Sequence, residues 1–135
     1  MAALAAPRNT VARSGDLIEP PVKASTKIWQ GGMVAIDAAG YAVPAGATAA
    51  HKVLGRAEDT FDNSSGANAA IKARVSKGVF RWNNSASGDL IALTDIGASC
   101  YVVDDNTVAK TSDTGARPVA GIIFDVDADG VWVKH

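Results

Sequence analysis

Ala70-Ile71-Lys72-Ala73-Arg74-Val75, then Ser76-Lys77-Gly78, then Val79-Phe80-Arg81-Trp82 reads as strand, turn and strand. The first six residues alternate strictly, and a side-chain period of two puts Ile71, Ala73 and Val75 on one face and Lys72 and Arg74 on the other. Wound at 3.6 residues per turn, the same residues would mix their apolar and basic members around one cylinder. Only a pleated strand separates them, with one sheet face as core and the other basic.

The rest of the chain follows the same grammar. Gly31-Gly32, Ala39-Gly40, Ser87-Gly88, Asp105-Asn106, Thr114-Gly115 and Asp129-Gly130 punctuate it at the short intervals of all-β domains. Fourteen Val, eight Ile and eight Thr against five Leu and two Met favour pleated structure over helix. Met33–Asp37 and Tyr41–Val43 form a hairpin closed by Pro44, which lacks a ladder donor. Further strands are expected at Ala50–Glu58, Asp89–Leu93, Ser99–Val103, Thr107–Thr111, Pro118–Val126 and Val131–Lys134, with Asp59–Asn68 a polar loop. Asp104-Asp105-Asn106 and Asp127-Ala128-Asp129-Gly130 read as tight hairpin turns. The expected fold is all-β: a small β-sandwich or barrel of about nine short antiparallel strands, with Phe80, Trp82, Phe124 and Trp132 filling a core of otherwise small side chains.

The chain has 135 residues, which supports one domain, and its 47% hydrophobic content is that of a globular protein. A net charge of −1 offers no overall field to gather nucleic acid or anionic membrane, so neither is an expected partner. The single cysteine, Cys100, excludes an internal disulfide or a Cys-rich zinc site, and is read as a buried structural thiol. No apolar run approaches the roughly 20 residues of a membrane span, and the N-terminus lacks the basic start and apolar stretch of a secretory signal.

Residues 1–25 behave differently from 26–135, the expected single β domain. They show no alternation, carry Pro7, Pro20 and Pro21, and set Arg8, Arg13 and Lys23 against Asp16 and Glu19. Such a segment cannot by itself bury enough to offset ordering costs of about 1–2 kcal/mol per residue. It is either a disordered tail or an extended N-terminal arm that orders on something else.

The inventory for chemistry is thin. His51 and His135 are the only neutral-pH acid–base groups, and no zinc-protease, nucleophile-elbow or phosphate-loop motif occurs. Asp125-Val126-Asp127-Ala128-Asp129-Gly130 imitates the first half of a calcium loop but lacks the closing acid, so a hairpin turn is the better account. No catalytic residue, cofactor or metal is expected. Charge is nevertheless uneven: residues 70–82 carry Lys72, Arg74, Lys77 and Arg81 with no acid, whereas Asp95–Gly130 holds seven Asp against Lys110 and Arg117. Opposite-sign surfaces on identical subunits can meet and set register.

Four segments of the C-terminal half resemble the capsid cement (head decoration) proteins of tailed bacteriophages: Ser87–Gly97, Cys100–Lys110, Arg117–Asp125 and Gly130–Val133. They carry a Gly-Asp step into a strand, a hairpin on Asp104-Asp105-Asn106, and a closing Val131-Trp132-Val133 strand. Gly31–Ala35 followed by Gly40-Tyr41 is similar to the hairpin near that family's N-terminus, and the likeness spans roughly residues 28–134. It implies a protein made in the bacterial cytoplasm that sits on the outer surface of the virion capsid. There it binds the major capsid protein and itself, as a trimer or dimer, and braces neighbouring subunits without catalysis. The contact residues expected on this basis are Leu4, Arg8, Val11, Arg13, Leu17, Ile18, Trp29, Lys72 and Arg74. A tail or baseplate accessory protein and a carbohydrate-binding β module are the rival readings. The latter is disfavoured by only 6% aromatic residues.

Overall fold

The computed structural model describes residues 2–135 and is all-β. Twelve strands are found among them: β1 (Leu17–Ile18), β2 (Thr26–Ile28), β3 (Met33–Ile36), β4 (Ala42–Pro44), β5 (Lys52–Ala57), β6 (Phe61–Asn63), β7 (Val75–Ser76), β8 (Val79–Trp82), β9 (Ser99–Asp104), β10 (Thr107–Ala109), β11 (Val119–Asp127) and β12 (Gly130–Lys134). They form two five-stranded antiparallel sheets, ordered β1-β7-β5-β3-β4 and β10-β9-β11-β12-β8, and a two-stranded ladder of β2 with β6.

Alternation along β3 explains the layering. Met33 and Ala35 face a core shared with the second sheet, where they meet Trp82, Cys100, Val102, Ile123 and Val131. Val34 points the other way, into a second core with Val22, Ile28, Ala42, Ala73 and Val75. The first sheet is therefore covered on both faces, which is why Met33-Val34-Ala35-Ile36 is continuously apolar. The second sheet has one buried face, and β9 alternates in burial accordingly. Its edge strands approach at a single parallel bridge, Asn83 to Thr107, and the sheet does not close into a barrel.

The structure corrects several expectations. The arm ends earlier than residue 25: Leu17 and Ile18 pair with Ser76 and Val75, Pro21 bridges Lys72, and Val22 is fully buried. The Asp59–Asn68 loop contains β6. Its Asn63, 3% exposed, donates from Nδ2 to the Lys23 and Ala67 carbonyls, both at 2.9 Å. Gly66 is required beside it, since a Cβ there would collide with the Asn63 amide. Residues 70–75 keep their alternation in burial but join a ladder only at Val75–Ser76.

The expected strand at Asp89–Leu93 is replaced by two short 3₁₀ turns, Ser87–Asp89 and Leu93–Asp95. Between them Ile91 plugs the shared core, because the Asn84 side chain accepts from its N–H (3.0 Å) and donates to its carbonyl (2.9 Å). A side-chain amide thus replaces the strand neighbour. Phe124 and Trp132 are not core. The β11–β12 register shifts between Ile123 and Asp125, leaving Phe124 60% exposed on the bulge. Trp132 lies half-buried on the outer face under Arg81, its indole N–H donating to Asp127 (2.7 Å).

Candidate functional site

Pairing of β1 with β7 sets the root of the arm beside the segment whose alternation opened the sequence reading. Arg13, Leu17, Ile18 and Lys72 line one recess, which continues through Glu19 into a groove of about 500 Å³ that Lys72 and Arg74 also line. Five of the nine expected contact residues are therefore neighbours. Leu17 remains 42% exposed, whereas Ile18 packs against the second core and is not a free anchor. Leu4, Arg8 and Val11 lie on the exposed arm ahead of them, with Leu4 74% and Val11 89% exposed.

The groove is mixed in charge. Arg74 pairs with Glu19 (3.6 Å) and Arg56 with Glu58 (2.9 Å), while Lys72 has no ion-pair partner among the described residues. The Ser76 hydroxyl and the Arg56 guanidinium hold the Glu58 carboxyl below its usual range, so it stays ionised. Phe61 supplies the groove's large apolar side chain. An acceptor-bearing or basic chain could lie along such a lining, with exchange of surface ion pairs as the recognition chemistry.

Trp29 is not brought to this groove. It is 59% exposed beside Gly31, Gly32 and the Asp105-Asn106 turn, with the Lys27 ammonium 3.9 Å above its ring. A second surface went unread in the sequence: Leu93, Ile96, Val119, Ile122 and Phe124 are all exposed on or beside β11. The available signal was Ile122-Ile123-Phe124, three consecutive large apolar residues in a strand with only one buried face.

Of the other groups considered for chemistry, Cys100, His135 and Asp127 are occupied structurally, whereas His51 Nδ1 is buried without a hydrogen-bond partner. Cys100 is fully buried, and burial pushes its thiol up to about 12. His135 faces the Ala120 carbonyl through Nδ1 and accepts the Trp82 indole N–H at Nε2, both at 2.8 Å. That pattern suits the neutral ring, and burial lowers its pKa to about 4. Asp127 accepts from the Asp129 and Gly130 amides and the Trp132 indole, as a hairpin turn requires. Among the described residues no three His, Cys, Asp or Glu side chains cluster as metal ligands. No known family model, curated protein or solved structure matches the chain.

Proposed function

We propose that this protein is a structural attachment protein: it binds the exterior of an assembled phage capsid and braces neighbouring major capsid subunits. The observation that carries the reading is the arm. Residues 2–15 are exposed throughout, carry Arg8 and Arg13 without an acid, and run directly into edge strand β1. Fully extended they span at most about 50 Å, enough to leave the domain and reach a second subunit. The C-terminal resemblance to cement proteins supplies the identity of the surface.

On this reading the mechanism is thermodynamic. A protein that binds only where several subunits meet stabilises the closed shell by mass action. Several modest contacts on one oligomer then add about 10²–10⁴ in avidity. Lys72, Arg74 and Leu17 at the arm's root are the proposed second contact zone. Deleting residues 2–15 tests the proposal, because the cut stops short of β1 and leaves the sheets intact. The shortened protein is expected to keep its melting temperature and to stop co-sedimenting with empty tailed-phage shells. Undiminished co-sedimentation would refute the arm's role.

A further inference from the structure

The outer face of the β10-β9-β11-β12-β8 sheet departs from the rule for a sheet with one buried face, whose solvent side is ordinarily polar. Residues directly opposite in an antiparallel ladder share a face, so the register assigns its members. Val119 stands opposite Tyr101, Ile122 opposite Lys134, and Asp125 opposite Trp132. All point away from Ile123, Val131 and Val133, which fill the shared core. Phe124 joins them on the bulge, and Ile96 is drawn alongside because the backbone of Gly97 and Ala98 pairs with that of Ile123, both bonds at 2.9 Å. Leu93, Ile96, Val119, Ile122 and Phe124 are each between 43% and 65% exposed. Together they offer on the order of 500 Å² per copy, the apolar share of a standard interface that buries about 800 Å² per partner.

Charge on this face is arranged around that apolar centre. Lys134, level with Ile122, and Asp125, level with Trp132, stand at opposite ends of the Ile122–Asp125 stretch, and both are exposed. Neither forms an ion pair among the described residues. We propose that two copies of the chain pack through this face, sheet against sheet, about a two-fold axis near Phe124. Such an axis carries Lys134 of one copy to Asp125 of the other and makes the same pair a second time. A face with both signs in this order is complementary to itself, whereas a partner of a single charge would leave one of the two groups opposed by its like. The arm leaves from β1, at the edge of the other sheet, so the two surfaces are separate and the inference does not rest on capsid attachment.

Sedimentation equilibrium of the full chain, from low micromolar to several hundred micromolar, tests the proposal. The mass should rise reversibly from one chain to two. Asp125→Lys and Lys134→Asp should each weaken the dimer roughly tenfold or more, because each sets like charges together twice, and the combined variant should recover to within about threefold of the original. Ile122→Glu should leave the chain monomeric. All four variants alter exposed side chains, so their melting temperatures should agree with the original when compared below the dimerisation midpoint. A trimer, charge reversals without effect, or a combined variant no tighter than the single ones would overturn the two-fold arrangement. A chain monomeric at every concentration would overturn it as well, and loss of shell co-sedimentation in Ile122→Glu would then give the face to the capsid.

Discussion

In the β10-β9-β11-β12-β8 sheet, β9–β10 and β11–β12 are hairpins closed by the two-residue connections Asp105-Asn106 and Ala128-Asp129, and only β8 arrives from far along the chain. In the β1-β7-β5-β3-β4 sheet only β3–β4 is a hairpin. Its other edge depends on Leu17 and Ile18 finding Ser76 and Val75, nearly sixty positions away. The first of these sheets is specified by local turn chemistry. The second is assembled by long-range closure, and its outer face is covered only because the 17–28 and 61–75 segments fold back over it. Long-range pairing carries a loop-closure cost that later packing must offset, so the N-terminal layer is expected to open before the hairpin sheet.

The largest effect should come from the shared core. Ile123→Ala removes a side chain 1% exposed between the two sheets and should cost about 3–5 kcal/mol in urea unfolding, lowering amide protection in both sheets together. Ile28→Ala, in the second core, should cost about 2–3 kcal/mol and lower protection chiefly in residues 17–28 and 61–75. Uniform loss of protection in Ile28→Ala would show that the two regions form one cooperative unit.

Next in size is the pH dependence that His135 confers on the hairpin sheet. Its folded pKa of about 4 lies below the ordinary 6.5, so the folded state prefers the neutral ring. The stabilisation is complete above pH 6.5 and is lost as pH falls from 6.5 towards 4, about 3 kcal/mol at most. Chemical denaturation at pH 7, 5.5 and 4.5 should show that slope, and His135→Phe should flatten it.

Asn63→Ala sharpens the comparison further. It leaves the Lys23 and Ala67 carbonyls without their donor, for a loss of about 1–3 kcal/mol. Hydrogen exchange should place the damage in β2 and β6 while β9–β12 stay protected. The smallest stability effect is expected on the exposed side of β11. Phe124→Ser should change stability by less than about 0.5 kcal/mol, because the bulge already holds the ring in solvent. A melting temperature lowered by many degrees would mean that the ring packs where the structure leaves it exposed.

How much was legible follows the same division. Strands β9, β11 and β12 and their Asp-rich turns were readable because alternation and clusters of turn-forming Asp, Asn and Gly are local signals. β2, β6 and the β1–β7 pairing were not, because Thr26–Ile28 and Phe61–Asn63 carry no alternation long enough to declare a strand and find partners only across the fold. Of the candidate contact residues, Lys72 and Arg74 were marked as outward by their period. That Lys72 would meet Arg13 and Leu17 in one recess has no counterpart in local pattern.

The amino-acid sequence alone determined the all-β class, the hairpin turns, the polarity of each alternating face and the absence of a recognisable catalytic motif, because those depend on side-chain period, turn conformations and composition over a few residues. Tertiary structure alone decided where the arm ends, that β3 is buried on both faces, that Phe124 and Trp132 turn outward, and which charged groups share a surface. Those outcomes depend on which distant segments compete successfully for one limited apolar surface, and a ladder bulge of one residue is enough to send a side chain to the opposite face.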